Sequence, residues 1–108
     1  MIISIDYDDT FTKDKQLWEW FIKKAQSRGH EVICITKRYE SMSEDIKSEM
    51  KIKTFFALKS KLETATNNGF KIDVWIDDKP QSIFPFRLLN KKFNKSFRGV
   101  AGPFSAFF

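Results

Sequence analysis

The sequence predicts an α/β fold in which helices cover both faces of a parallel β-sheet. Short apolar segments alternate with segments of helical periodicity through most of the chain. The apolar segments are hydrophobic at nearly every position, which is typical of strands that are buried on both faces. One helix lies between each pair of successive strands, as the right-handed crossovers of a parallel sheet require.

Two strands and one long helix are predicted in the first third of the chain. Residues 1–6 form an Ile-rich strand, and residues 13–28 form a helix that ends at Gly29. A second buried strand follows at residues 31–36. Trp20 lies off the apolar face of the helix. That face comprises Leu17, Trp18, Phe21, Ile22 and Ala25.

The middle of the chain is predicted to add a short helix and a third strand. The helix covers residues 44–50, and Ser41 and Glu44 have the spacing of a capping box at its start. The third strand covers residues 52–57.

A further helix and a fourth strand complete the predicted β-α-β-α-β-α-β order. The helix covers residues 59–68 and buries Leu62 and Ala65. The fourth strand covers residues 72–77, after which Pro80 begins a short helical turn.

The last residues are predicted to contain a fifth, edge strand at 97–101, within a Phe-rich region. A cationic stretch at residues 91–98 leads into this strand. The mixture of charged and aromatic residues in the stretch is compatible with nucleic-acid binding or with an ordinary solvated face. With Trp20, the terminal Phe side chains either pack onto the core or form a homodimer interface. The cationic residues are Lys91, Lys92, Lys95 and Arg98, and the terminal aromatic residues are Phe104, Phe107 and Phe108.

Length and composition limit the class of protein. With 108 residues and no linker-like segment, the chain is expected to form a single domain over residues 1–108. A single cysteine, Cys34, excludes a disulfide scaffold and is expected to lie in the core. No apolar run is long enough to span a bilayer, and no signal-peptide pattern is present, so we expect a cytoplasmic protein with no membrane partner. The net charge of +5 permits binding to phosphate-rich partners.

Two acidic clusters lie where predicted strands end. Residues 6–10 read Asp-Tyr-Asp-Asp-Thr after the first strand, and Asp77 and Asp78 end the fourth. Ligand sites of parallel sheets lie at the carboxyl ends of the strands, so these carboxylates are expected to converge. Converging carboxylates repel one another and need a cation, and a site with only oxygen ligands favours Mg²⁺.

Two further polar residues have positions suited to phosphate chemistry. Thr36 ends the second strand, and Lys61, or alternatively Lys59, opens the helix before the fourth strand. Carboxylates, a hydroxyl, a lysine and a hard metal ion together are what phosphoryl transfer needs.

The four motifs, in this order, resemble those of the haloacid dehalogenase (HAD) superfamily of phosphohydrolases. The resemblance covers residues 1 to about 80 and rests on Asp-x-Asp-x-Thr at residues 6–10, Thr36, Lys61 and the Asp77-Asp78 pair. It implies a three-layer, Rossmann-like fold of the HAD type. It also implies a Mg²⁺-dependent phosphatase that forms an aspartyl-phosphate.

The resemblance implies a role for each motif residue. Asp6 would attack phosphorus, and Asp8 would protonate the leaving oxygen and then activate water. The substrate phosphate would contact Thr10, Thr36 and Lys61. Mg²⁺ would be held by Asp6, the Asp8 backbone carbonyl and Asp77, with Asp78 as a ligand or as a residue that orients a metal-bound water.

The spacing of the motifs leaves no room for a cap domain. Each interval is used by one helix and one strand: 30 residues from Asp6 to Thr36, 25 from Thr36 to Lys61 and 16 from Lys61 to Asp77. A capless member resembles enzymes whose substrate covers the site, such as a phosphorylated nucleic-acid end or a phosphoprotein, although a nucleotide fits too. The alternative is a catalytically silent module that binds phosphate or a protein. Retention of Asp8 favours the enzyme over this module and over a phosphate-accepting receiver domain.

Overall fold

The computed structural model describes residues 1–85 together with the short strands at residues 100–101 and 105–107. The cationic stretch at residues 91–98, Phe104 and Phe108 lie outside the described residues. The strands are β1 (Ile2–Ile5), β2 (Glu31–Thr36), β3 (Thr54–Phe56), β4 (Val74–Asp77), β5 (Val100–Ala101) and β6 (Ser105–Phe107). The α-helices are α1 (Lys15–Ser27), α2 (Glu44–Met50) and α3 (Lys61–Asn67).

The predicted α/β fold with a parallel sheet is confirmed for β1 to β4. The strand order is β3-β2-β1-β4-β6-β5, and neighbours among the first four strands all run parallel. Strand β6 extends the sheet parallel to β4, and β5 pairs antiparallel to β6 at the edge. The predicted edge strand is therefore present at Val100–Ala101, whereas the strand at Ser105–Phe107 was not predicted from the Phe-rich sequence.

Alternate residues of β2 belong to two different hydrophobic clusters. Val32 and Cys34 join one cluster, which confirms Cys34 as a core residue, and Ile33 and Ile35 join the other. Helices α1 and α2 contribute buried side chains to the first cluster, and α3 contributes Ala65 to the second. Because successive side chains of a strand point to opposite faces, the sheet buries apolar groups on both sides.

The predicted apolar face of α1 is wrong at Leu17, which is 49% exposed. Leu17 lies roughly 80° around the helix axis from the buried Ala25, which puts it at the margin of that face. Trp20 lies off the face, as predicted, and is 63% exposed, so of the two alternatives its packing onto the core does not occur.

The capping box predicted before α2 does not form. Ser41 belongs to a 3-10 turn at Glu40–Met42, and Ser43 takes the N-cap position instead. The Ser43 hydroxyl donates to the carbonyl oxygen of Tyr39 at 2.7 Å rather than accepting from the helix. The turn displaces Ser41 from the position where it could cap α2.

None of the helices in the described part of the chain is long and apolar enough to cross a lipid bilayer.

Candidate functional site

The acidic residues of the first and fourth motifs meet because β1 and β4 are neighbours. Ile5 pairs with Ile76 in the parallel register, and the Asp6 amide donates to the carbonyl oxygen of Ile76 at 3.0 Å. Asp6 and Asp77 come directly after these residues, at the carboxyl end of the sheet. Both carboxylates are buried, with 6% and 2% of the residue exposed.

Lys61 bridges these two carboxylates. Its Nζ lies 2.8 Å from Oδ1 of Asp6 and 2.5 Å from Oδ2 of Asp77, and the lysine is only 3% exposed. Lys61 is the first residue of α3, whose start is fixed by two contacts. The Ser60 hydroxyl accepts from the Glu63 amide, and the Leu62 amide donates to the carbonyl oxygen of Ile83.

The structure thus brings Lys61 to the acidic residues, and not Lys59. Lys59 lies before α3, and its side chain is exposed. Lys61 is aimed at the end of the sheet because it opens α3 directly after Ser60, whose backbone is extended, whereas Lys59 precedes Ser60 and lies outside the helix.

Burial dominates the ionisation of this cluster. Loss of hydration raises the pKa of Asp6 to about 7; the positive charge of Lys61 opposes this rise, and the charge of Asp77 adds to it. Burial also raises the pKa of Asp77, again opposed by Lys61. Burial alone would lower the pKa of Lys61, but the two carboxylates outweigh it and the net direction is upward. The lysine therefore stays charged, and one ammonium cannot fully compensate its acidic neighbours.

The loop after β1 is a tight turn that places the rest of the first motif. The amides of Phe11 and Thr12 donate to the carbonyl oxygens of Asp6 and Tyr7, and Phe11 is buried. Asp9 has a φ of 59°, in the left-handed region that Asp tolerates better than most residues. The buried Thr10 donates its hydroxyl to Oδ1 of Asp78 at 3.4 Å.

Three carboxylates form a group that could hold a metal ion. Asp6, Asp77 and Asp78 each offer one oxygen, and these oxygens lie within 4.8 Å of one another. When all three are ionised, Lys61 leaves two negative charges uncompensated. An oxygen-only donor set with this charge fits a hard divalent cation. The side chain of Asp8 is not part of this group, and its predicted contribution to the metal site is through its backbone carbonyl.

Asp8 is instead held by Arg38, a residue that the sequence analysis missed. Arg38 donates from Nε to Oδ2 and from Nη2 to Oδ1 of Asp8, at 2.9 and 2.6 Å. The same guanidinium reaches Asp45 on α2 and lies 5.5 Å from the ring centroid of Tyr7. The hydrogen bonds to Asp8 raise the pKa of Arg38, so it remains charged. Arg38 lies two residues after Thr36, at the carboxyl end of β2, and this position could have identified it as a residue near the site.

The acidic residues line a small cavity of about 180 Å³. Asp8 lines it, as do Asp6 and Lys61. Thr36 is buried at the end of β2, its carbonyl oxygen accepts from the Ala57 amide, and it is not among the residues that line the cavity. Of the predicted site residues, Asp6, Lys61, Asp77 and Asp78 are therefore assembled directly, and Thr10 contacts Asp78.

Comparison of the chain with protein-family models, curated proteins and solved structures finds no match.

Proposed function

We propose that the protein is a Mg²⁺-dependent phosphatase of the HAD type, with the three-layer fold of that superfamily. The observation that carries the proposal is the bridge of Lys61 between Asp6 and Asp77, with Asp78 beside them at the end of the parallel sheet. It joins the first, third and fourth motifs in one buried group. A buried lysine beside carboxylates suits the binding of a phosphate whose charge the carboxylates would otherwise repel.

In the proposed reaction an oxygen of Asp6 bonds to phosphorus while the bond from phosphorus to the leaving oxygen breaks. The leaving oxygen takes a proton from Asp8, which produces an alcohol and an aspartyl-phosphate. Asp8 then takes a proton from water as the water oxygen bonds to phosphorus, which releases inorganic phosphate and restores the Asp6 carboxylate. Both oxygens of Asp8 accept hydrogen bonds from Arg38, so Arg38 holds this side chain in place at the site.

The remaining side chains would bind and orient the substrate. Lys61 would stabilise the charge on the phosphate oxygens, and Thr10 would orient Asp78. Thr36, which was predicted to contact the phosphate, is buried and does not line the cavity. Asp6, Asp77 and Asp78 would hold Mg²⁺, which would neutralise charge on the phosphate when bound. Phosphomonoesters of nucleic-acid ends, nucleotides or phosphoproteins are the proposed substrate classes.

The test is hydrolysis by the purified protein with and without Mg²⁺. The panel contains an aryl phosphate, nucleotides, 3′- and 5′-phosphorylated oligonucleotides and phosphopeptides. We expect Mg²⁺-dependent release of phosphate, and we expect Asp6→Asn to abolish it with the circular dichroism spectrum unchanged. The amide has nearly the shape of the carboxylate but cannot act as the nucleophile. Turnover by folded Asp6→Asn would refute the role of Asp6.

One observation favours a second candidate, a module that binds phosphate without turnover. Arg38 occupies both carboxylate oxygens of Asp8, so the proposed acid is engaged in an ion pair rather than free. Phosphate binding measured by calorimetry, together with no hydrolysis of any ester in the panel, would support this candidate.

A further inference from the structure

A second, larger cavity adjoins the acidic one. Its volume is about 560 Å³, within the range of small-molecule sites, compared with about 180 Å³ for the acidic cavity. Lys37, Lys79 and Ser82 line both cavities, so the two are adjacent and share part of their walls. A molecule with one group in the acidic cavity could therefore extend into the larger one.

The larger cavity is cationic. Lys37, Lys59 and Lys79 line it, and Glu63 is the one acidic residue among the described residues of its lining. Within residues 1–85, the side chains of these three lysines make no ion pair, whereas Lys15, Lys47, Lys53 and Lys61 each pair with a carboxylate. Three uncompensated ammonium groups around one cavity favour an anionic occupant.

The charges of the two cavities are opposite, and this contrast indicates how a substrate would lie. The acidic cavity would take a phosphate only with its cations, Lys61 and the proposed Mg²⁺. The larger cavity attracts anions through Lys59, which lines it alone, and through Lys37 and Lys79, which it shares with the acidic cavity. A substrate with one phosphate at the carboxylates and a second on the leaving group satisfies both.

We propose that the cavity lined by Lys37, Lys59 and Lys79 binds a second phosphate group, carried by the leaving group of the substrate. This inference rests on the proposed function, because it takes the acidic cavity as the site of the phosphate that is removed. The second phosphate is either a terminal phosphate of a small bisphosphorylated molecule or the phosphodiester next to the end of a nucleic-acid strand.

The experiment compares probes that differ only in the second phosphate. Catalytic efficiency with Mg²⁺ is measured for adenosine 3′-monophosphate, adenosine 5′-monophosphate and adenosine 3′,5′-bisphosphate, and for dinucleotides phosphorylated at the 3′ or 5′ end. We expect the probes with a second phosphate to exceed the monophosphates about tenfold, as for a hydrogen bond to a charged group. Because the lysines are exposed, the advantage should shrink as NaCl is raised. If only the bisphosphate is hydrolysed more efficiently than the monophosphates, the second phosphate is a terminal phosphate of a small molecule. If a dinucleotide shows an equal gain in efficiency, the second phosphate is the phosphodiester of a nucleic-acid strand.

Two variants that change the charge of the larger cavity in opposite directions test its role. Lys59→Gln should reduce the advantage of the second phosphate severalfold, because Lys59 lines only the larger cavity. Glu63→Gln should increase the advantage, because it removes the acidic group of the lining. Lys24→Gln, with the same charge change on an exposed position of α1, is the control and should alter nothing.

Binding separates failure of this inference from failure of the proposed function. Calorimetry with Asp6→Asn measures the affinity for the same probes without turnover. Equal affinity and equal efficiency for mono- and bisphosphate would overturn the second-phosphate site even if monophosphates are hydrolysed. If no ester is hydrolysed, the phosphatase proposal fails. The second-phosphate site is then tested by affinity alone: it is supported if Lys59→Gln removes a measured preference for the bisphosphate, and refuted if it does not.

Discussion

Arg38 donates two hydrogen bonds to Asp8, from Nε at 2.9 Å and from Nη2 at 2.6 Å, and its Nη1 lies 3.1 Å from Oδ2 of Asp45. This arrangement ties the loop after β1 to the start of α2. The guanidinium side chain is 30% exposed, so the pair is only partly shielded from water. Its contribution should lie at the upper end of what surface ion pairs provide.

A double-mutant cycle of Arg38→Gln and Asp8→Asn tests this contact. We expect each single change to lower the free energy of unfolding, and the coupling between them to be about 1 kcal/mol, because a bidentate pair is lost by either change. Urea denaturation of the four proteins gives the coupling. Strictly additive losses would show that the pair adds nothing to stability.

Asp8→Asn should also change the dependence of the reaction on the leaving group. An amide cannot supply the proton that an alkoxide needs, whereas an aryl oxide leaves without one. We expect turnover of alkyl phosphates to fall about a hundredfold or more, and that of an aryl phosphate to fall less. Equal losses for the two classes of ester would argue against Asp8 as the acid.

Lys61→Met should be the most destabilising of the site changes. It leaves two buried carboxylates without their ammonium partner, and breaking a buried ion pair in this way costs about 3 to 5 kcal/mol. Lys59→Met removes the same charge from an exposed position and should change the free energy of unfolding by less than about 0.5 kcal/mol. Denaturant midpoints compare the two variants.

The same pair of lysines should differ in phosphate chemistry. Lys61→Ala is expected to reduce phosphate affinity and turnover of simple monoesters more than Lys59→Ala does, because only Lys61 reaches Asp6 and Asp77. A larger loss for Lys59→Ala would contradict the assignment of Lys61 to the phosphate.

Mg²⁺ should stabilise the folded protein through the three-carboxylate group. A ligand that binds only the folded state adds about 2.7 kcal/mol at a hundredfold excess over its dissociation constant, which raises the melting temperature. Asp78→Asn should remove most of this gain. Asp9→Asn is the matched control, because Asn tolerates the left-handed conformation of Asp9, which lies outside the group. An equal response of both variants to Mg²⁺ would place the ion elsewhere.

The metal-free protein should lose stability as the pH rises. Burial raises the pKa of Asp6 to about 7 from an ordinary 3.8, so between these values the folded state holds a proton that the unfolded state has released. The free energy of unfolding should therefore fall by about 2 to 4 kcal/mol between pH 4 and pH 7, and the raised pKa of Asp77 acts in the same direction.

Unfolding in EDTA across this pH range measures the fall. Asp6→Asn should flatten the profile, since the amide does not titrate. The raised pKa of Lys61 has its effect near pH 10 and above, outside this window, because stability from a raised lysine pKa is lost only as the pH rises past the unfolded value. A profile that rises with pH in EDTA would contradict the burial effect on Asp6.

The succession of β1 to β4 with a helix after each of the first three, and the positions of the acidic residues at the strand ends, are predictable from the sequence alone. Apolar runs such as Ile33-Cys34-Ile35 identify buried strands because nearly every position must avoid water. Since parallel strands end at one edge of the sheet, the convergence of Asp6 and Asp77 can be expected from the sequence alone. These inferences use local periodicity and one topological rule.

The pairing of each cation with its carboxylate depends on how the elements pack against one another. Lys59 and Lys61 are indistinguishable by charge, and the start of α3 after Ser60 aims Lys61 at the carboxylates. Arg38 is an ordinary loop residue in the sequence, and its pairing with Asp8 depends on the turn after β1 lying against the end of β2. The two adjoining cavities are likewise lined by four separate segments of the chain, at residues 6–9, 37, 59–63 and 77–85. Such contacts are set by the packing of whole elements, for which local residue preferences carry no signal.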